Sequence, residues 1–345
     1  MLTYTIRRLV LAIPTLLFIS LIIFLLLQLA PGDPMAQVPL TVPPEVREKM
    51  RLALGLGEPI HVQYWKWLVQ FFWVEPKVFI DFLTRDSWLL GWLPDTQLYK
   101  GEQRVISWQT RSPVMDLILM SLPQTLTVVG TAYIVGILIA IPIGIYSAYR
   151  QYSVFDQTGT FITMVGFSIP PFFTGPLLIL IFSVQLGWLP FIYDTTHRVT
   201  DWDSFVYQVR QMIMPVMVLA LQTTAQISRF MRSAMLDNLR QDYVRTARAK
   251  GLGEAMVIMI HVLRNSLIPV ITVIALGLPS VFGGAIITEV VFSINGIGSQ
   301  LINALFANDL PLVMTVTFIF AILIVLFNIL ADVLYGVLDP RIRYD

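Results

Sequence analysis

LPLVMTVTFIFAILIVLFNILA, residues 310–331, contains no acidic or basic side chain. A helix needs about 20 apolar residues to cross the hydrocarbon core of a bilayer, so this stretch predicts a membrane span. Six further windows also lack Asp, Glu, Lys and Arg: 9–32, 117–149, 157–193, 211–228, 265–288 and 290–308. The repeated pattern predicts an all-α, polytopic membrane protein.

The overall composition agrees with a membrane protein. Of the 345 residues, 56% are hydrophobic and 13% are charged, whereas soluble domains average about 25% charged residues. An ordinary soluble enzyme and a disordered chain are therefore excluded. The net charge of +1 gives no reason to expect a nucleic-acid partner. Because the chain has no cysteine and its three histidines are far apart, no metal site and no catalytic residue are predicted.

Six of the seven windows are interpreted as spans. The window 290–308 is the exception, because its asparagines and glycines suit a loop or a short re-entrant segment better than a lipid-facing helix. The window 157–193 contains Pro170, Pro171 and Pro176, so it is predicted to form one kinked or broken helix. The first apolar run is longer than a signal-peptide core, which indicates a retained helix. The predicted spans are 9–30, 118–148, 157–187, 211–231, 266–289 and 311–334.

The distribution of basic residues predicts the orientation. Six spans place both termini on one side of the membrane. With the termini inside, twelve Lys and Arg residues lie in four short inner pieces, and nine of the other eleven lie in the single outer segment 31–116. Long segments count little in the positive-inside rule. Both termini are therefore predicted to be cytoplasmic.

These boundaries divide the chain into three parts. Residues 1–30 hold the N-terminal tail and first span, 31–116 form the extracytoplasmic segment, and 117–345 form the transmembrane core. In the outer segment, Pro43 to Arg51 predicts a helix after a proline start. Its tryptophans suit a lid on the outer membrane interface or a small folded subdomain, and both interpretations stay open. The tryptophans are Trp65, Trp67, Trp73, Trp88, Trp92 and Trp108.

The inner loop 237–264 has the clearest local pattern. Residues 242–250 favour a short helix, and Gly251 follows as a C-cap that suits a left-handed backbone. A second helical stretch begins near Glu254 and leads into the fifth span. A short helix held between two spans can transmit force from a soluble partner. The alternative is a solvated basic loop that follows the positive-inside rule.

The segment 243–251, YVRTARAKG, resembles the EAA loop of ABC importer permeases, in the form found in dipeptide and oligopeptide permeases. The proline that ends the loop in the general family pattern comes later here, at Pro269. This delay resembles the peptide-permease branch of the family. Residues 73–112 depart from the family pattern. Three further segments agree with the resemblance: Arg7-Arg8-Leu9 through Pro14 to Pro31-Gly32-Asp33-Pro34, Leu54-Gly55-Leu56 with Pro59 and Gln63-Tyr64, and Asp339-Pro340-Arg341-Ile342-Arg343.

The resemblance implies the first of two permease subunits in an importer of di- or oligopeptides, located in the prokaryotic cytoplasmic (inner) membrane. The implied partners are a second homologous permease, two cytoplasmic ATPase subunits and an extracytoplasmic substrate-binding protein. ATP and Mg would be bound by the ATPase subunits, with no cofactor in this chain. No lysine follows a glycine here, so a P-loop is absent and the chain is not expected to be an enzyme. The implied ATPase-coupling residues are Tyr243, Arg245, Ala247, Arg248, Lys250 and Gly251.

Alternatives remain for the cargo and for one acid near the end of a predicted span. Similar permeases carry nickel chelates or oligosaccharides. An ion-coupled secondary carrier is a remote alternative, because no inverted repeat and no mid-span charge is seen. Glu289, near the outer end of the fifth span, is either a pathway or gate residue or a structural contact. Asp332 is expected to pair with an arginine near a terminus. Gly277, Gly283 and Gly284 are expected either to allow close helix packing or to form part of a translocation wall.

Overall fold

The computed structural model describes residues 2–29, 43–53, 57–86, 101–283 and 285–338. Within these ranges the chain is almost entirely helical, and a single bridge between Ile106 and Pro113 is the only extended pairing. The helices are α1 (Leu2–Gln28), α2 (Pro44–Ala53), α3 (Ile60–Val69), α4 (Glu75–Asp86), α5 (Val114–Thr125), α6 (Thr131–Tyr149), α7 (Val154–Ser168), α8 (Pro171–Leu178), α9 (Trp202–Leu239), α10 (Asp242–Ala249), α11 (Glu254–Met256), α12 (Leu263–Gly283), α13 (Ile286–Val291), α14 (Ile297–Phe306) and α15 (Leu310–Leu338). Turns of π-helix at Gln70–Val74, Leu126–Gly130 and Val257–Val262 join α3 to α4, α5 to α6 and α11 to α12, and a fourth, Ile179–Gln185, extends α8.

The described helices confirm the polytopic all-α prediction. Five stretches are long and apolar enough to cross a membrane: Thr5–Gln28, Val114–Tyr149, Trp202–Leu239, Glu254–Val281 and Leu310–Val333. The pair Val154–Ser168 and Pro171–Gln185 is apolar enough as well but is bent by 103°, so it forms either a broken sixth span or a re-entrant loop. The bend confirms the predicted broken helix. Its cause is proline, because Ile169 before the Pro pair is held in an extended conformation.

Two predicted spans differ from the observed helices. The span 211–231 lies within the longer α9, because the charge-free window reflects the apolar stretch whereas the helix continues into polar surroundings. The predicted span 266–289 was wrong as one continuous helix, since α12 ends at Gly283 and α13 begins at Ile286. Glycine is a poor helix former, which favours a break there. In the window 290–308, α14 has 10 residues and is too short to cross.

The chain divides into two compact units by its contacts. The first comprises Met1–Ile13, Leu122–Ser299 and Ile322–Asp345, and the second comprises Pro14–Ser121 and Gln300–Ala321. These units do not follow the sequence division at residues 30 and 116, because contacts group helices by packing and not by side of the membrane. That three-part division stays a prediction about topology.

The first unit is built on the close pairing of α6 with α9. A Cβ atom at Gly136 would lie 2.6 Å from the Thr223 Cβ, and one at Gly144 would lie 2.5 Å from the Met231 Cβ. The absence of side chains therefore lets the two backbones approach, as small residues do in membrane helix pairs. Thr224 also donates a hydrogen bond to the Gly136 carbonyl at 3.2 Å.

Two predicted contacts of the first unit are confirmed. At Gly277, a Cβ atom would collide with the Tyr133 hydroxyl, which itself donates to the Ile274 carbonyl at 2.6 Å. Gly277 thus allows α12 to approach α6 closely. The Arg8 guanidinium lies 3.2 Å from the Asp332 carboxylate, which is the pair expected near the termini.

The second unit has a small aromatic core. Trp67 is 6% exposed, and its ring and that of Phe71 pack edge-on against Phe318 in α15, at 5.3 and 5.0 Å between centroids. This core fits the subdomain interpretation of the outer segment. Trp65 and Trp73 are exposed, as the membrane-interface interpretation requires. Trp88 and Trp92 lie outside the described residues. The predicted helix near Pro43 is confirmed by α2.

Polar contacts complete the second unit. Arg104 joins the buried Glu75 carboxylate at 3.0 Å and the Asp116 carboxylate at 2.8 Å. The fully buried Asp309 accepts a short hydrogen bond from the Ser107 hydroxyl and one from the Trp108 backbone at 3.0 Å. Asp309 therefore ties the 107–109 turn to the start of α15.

Candidate functional site

The inner loop folds as its local pattern predicts. Helix α10 ends at Ala249, and Gly251 adopts a φ of +78°, in the left-handed region that favours glycine. The Gly251 N–H donates to the Arg248 carbonyl at 2.9 Å, and α11 begins at Glu254. A Cβ atom at Gly251 would meet nothing within 4 Å. Glycine is thus required here by the backbone conformation and not by lack of space.

One face of α10 is anchored to the membrane helices. Val244 is fully buried and Ala247 is 5% exposed, and both belong to a core cluster with Met235 of α9 and Val262 of the π-helical turn before α12. The Tyr243 hydroxyl donates to the Asn238 side chain at 2.7 Å. Helix α10 is therefore packed against the C-terminal end of α9 and against the π-helical turn that precedes α12.

The other face of α10 is exposed and basic. The Arg245 side chain is 76% exposed and contacts Asp242 one turn earlier. The Arg248 side chain is 44% exposed and lies 2.6 Å from Glu254, whose carboxylate raises the pKa of the Arg248 guanidinium above its ordinary value. Lys250 is also exposed. Exposed pairs of this kind contribute little to stability.

The six residues assigned to coupling from the resemblance therefore separate by burial. Ala247 and the half-buried Tyr243 hold α10 in place, whereas Arg245, Arg248 and Lys250 form an exposed basic face beside Gly251. The sequence reasoning left both arginines available for acids of a partner. In the structure each already contacts an acid of its own chain. Glu254 was not singled out, although its position just after the glycine turn brings it within reach of Arg248.

Glu289 is buried, with only 1% of its surface exposed. One carboxylate oxygen accepts a hydrogen bond from the Thr125 hydroxyl at 2.9 Å, and the other accepts from the Ser299 N–H at 2.8 Å. The Thr125 oxygen accepts from the Ile297 N–H at 2.8 Å. Glu289 and Thr125 thus accept hydrogen bonds from the Ser299 and Ile297 N–H groups in the first turn of α14, where backbone donors lack partners within the helix.

Two glycines make room for this carboxylate. A Cβ atom at Gly296 would lie 2.5 Å from the Glu289 carboxyl carbon, and one at Gly298 would lie 2.9 Å from a carboxyl oxygen. The residues that surround Glu289 were not found from sequence. The pattern Gly296-Ile-Gly298 at a helix start, a few residues after a lone acid in an apolar region, is a signal that could have indicated them.

The first unit also contains a cavity of about 810 Å³. Its walls come from the helices around α9, and the lining residues include no charged side chain. Helix α9 contributes Leu219, Gln222, Thr223, Gln226 and Phe230. Sequence reasoning missed this cavity because it is assembled from several helices, although two glutamines four residues apart near a charge-free window were a signal. Among the described residues, no group of His, Cys, Asp and Glu could hold a metal ion.

Comparisons with known proteins cover the whole chain. Residues 140–344 match the family "Binding-protein-dependent transport system inner membrane component", and residues 1–80 match the N-terminal family of the same membrane components. The oligopeptide transport system permease protein AppB of Bacillus subtilis is 38% identical, over 100% of both chains. The di/tripeptide transport system permease protein DppB of Pseudomonas aeruginosa is 36% identical, over 100% of this chain and 99% of its own. A solved amino acid ABC transporter with histidines has a TM-score of 0.49 and 14% identity, covering 64% of this chain and 94% of its own.

Proposed function

Because the chain belongs to the family of binding-protein-dependent transport system inner membrane components, we propose that it imports di- and oligopeptides as one half of a permease heterodimer. The chain is a permease subunit of an ABC importer, and ATP hydrolysis is the task of a separate subunit. The peptide cargo is supported by two relatives named as oligopeptide and di/tripeptide permeases, which match the full length of the chain.

The geometry of α10 carries the coupling part of the proposal. The helix is buried on the side of Val244 and Ala247 and exposed on the side of Arg245, and it ends in a glycine turn between two spans. We assign Arg245, Arg248 and Lys250 to contact with a cytoplasmic ATPase subunit. Tyr243 and Ala247 hold the helix against the spans, and Gly251 sets its angle. Movement of the ATPase would then reach α9 and α12 together.

The cavity beside α9 is assigned to the cargo pathway. Its uncharged polar lining suits a ligand that is itself rich in amides, and a second homologous permease would supply the opposite wall. Two cytoplasmic ATPase subunits would bind ATP and Mg, and an extracytoplasmic binding protein would deliver peptide to the outer segment 31–116. Exposed Trp65 and Trp73 suit contact of that segment with the lipid interface or with the binding protein.

The first prediction tests the cargo. The tagged chain, purified in mild detergent with the proteins that accompany it and reconstituted in liposomes, is expected to accumulate labelled tripeptide only when ATP and a binding protein are present. Excess unlabelled peptides should compete, whereas a nickel chelate and an oligosaccharide should not. Uptake without ATP would contradict the importer, and competition by the chelate or the sugar would contradict the peptide cargo.

The second prediction tests the membrane orientation. The native chain has no cysteine, so a single introduced cysteine is labelled without background. Gln109→Cys is expected to react with an impermeant maleimide in intact spheroplasts, and Lys250→Cys only after permeabilisation, because both positions are exposed in the structure. This result would place the termini in the cytoplasm of a prokaryotic cell. The reverse pattern at either position would refute that orientation.

A further inference from the structure

Two glutamine side chains of α9 line the cavity. Gln222 and Gln226 line it from α9, and because they are four residues apart they lie on one face of the helix. Neither side-chain amide forms a hydrogen bond with any other residue that the structure describes. An amide with unmade hydrogen bonds is costly in hydrocarbon, so this face is suited to water or to a polar ligand and not to lipid.

Arg229 continues the same face of α9 towards Arg232. Its guanidinium centre lies 4.9 Å from the ring centroid of Phe167, which lines the cavity. Its Nε donates to the Ala225 carbonyl at 3.1 Å, whereas its terminal nitrogens form no hydrogen bond with any residue that the structure describes. The side chain is exposed, and no carboxylate in the described part of the chain lies within ion-pair distance of it.

The next arginine shows what a structural arginine does on this helix. Arg232 lies three residues further and holds the Asp156 carboxylate with two hydrogen bonds of 2.7 Å. Among the residues that the structure describes, Arg229 contacts no such acid, and its guanidinium instead lies over an aromatic ring. Stacking on an aromatic face leaves the planar edge of a guanidinium free to bind a carboxylate with two parallel hydrogen bonds. A charged residue near a membrane cavity is also a candidate for function.

We propose that this face of α9 binds the peptide during passage, with the Gln222 and Gln226 amides on its backbone and the Arg229 guanidinium on its C-terminal carboxylate. The inference rests on the proposed peptide import and adds the residues that hold the cargo. Amide side chains both donate and accept, so they pair with any peptide backbone whatever its side chains. The cavity of about 810 Å³ lies in the size range of small-ligand sites and accommodates a short peptide.

The third prediction compares a tripeptide with its C-terminal amide in the reconstituted complex. The Arg229→Gln variant is expected to reduce uptake of the free acid by about tenfold, since it loses the charge-assisted hydrogen bonds to the C-terminal carboxylate. Uptake of the amide should stay unchanged, and Arg229→Lys should give an intermediate result. Arg210→Gln is the matched control, because it removes the same charge from an exposed position of the same helix. It should transport both peptides normally.

The outcomes separate this inference from the proposed function. If the unaltered complex accumulates neither peptide with ATP, the proposed function fails before any variant is compared. If it accumulates peptide and Arg229→Gln loses both peptides equally, or neither, the carboxylate assignment is overturned. The second test is the double variant Gln222→Leu with Gln226→Leu, which leaves the charge of Arg229 in place. It is expected to lower uptake of both peptides by a similar factor, and unchanged uptake would overturn the role of the amides.

Discussion

Replacing Gly251 by valine is expected to lower ATP-driven uptake by about tenfold while the chain remains in the membrane. Gly251 has a φ of +78°, and the left-handed conformation costs a residue with a Cβ about 1–2 kcal/mol, with a β-branched side chain at the upper end. A clash plays no part, because the space around the Cβ position is open. The strain is therefore relieved by a change in backbone angle that tilts α10 relative to α12.

Two matched variants isolate the backbone effect. Gly251→Asn should retain most of the uptake, because asparagine tolerates the left-handed region. Gly253→Ala should be neutral, since Gly253 has a φ of −63° and equally open surroundings. Charge reversal at Arg248 is a less clean test because it also breaks the pair with Glu254. The measurements are uptake, bound ATPase subunit and hydrolysis stimulated by the loaded binding protein. Normal values of all three in Gly251→Val would favour the alternative of a solvated basic loop.

Replacing Glu289 by alanine is expected to cause the largest loss of stability. The change leaves the Thr125 hydroxyl and the Ser299 N–H without their acceptor in a buried position, and also leaves a cavity. Leaving a buried donor without its acceptor costs about 1–3 kcal/mol each, so the loss should reach about 3 kcal/mol. The melting temperature of the purified complex in detergent should therefore fall by several degrees.

This measurement also decides between the two interpretations of Glu289. Glu289→Gln keeps the shape and one acceptor oxygen, so it should be milder than alanine. Asp203→Asn, at an exposed position of α9, is the control for loss of an acid and should leave the melting temperature unchanged. A structural contact predicts that stability and uptake fall together. A normal melting temperature with abolished uptake in Glu289→Ala would instead identify Glu289 as a gate residue.

Structural features that depend only on residues close together in the sequence could be predicted from the sequence alone. The charge-free windows predicted the approximate positions of the membrane helices, because the energy of burial in lipid is set by local composition. Gly251 could also be assigned to a left-handed turn, because backbone strain depends on one residue and its immediate neighbours. Pro170 and Pro171 likewise determined where the third span is broken.

The features that depend on distant residues were decided by the tertiary structure alone. Glu289 accepts a hydrogen bond from Thr125, 164 positions away, and the break after Gly283 separates α13 from the span to which Glu289 had been assigned. The cavity exists because several helices meet around α9. Composition and residue spacing describe each helix by itself. The register of α6 against α9 depends instead on which residues of α9 pack against Gly136 and Gly144. The fit between these helix surfaces determines which polar side chains are buried and which line the cavity.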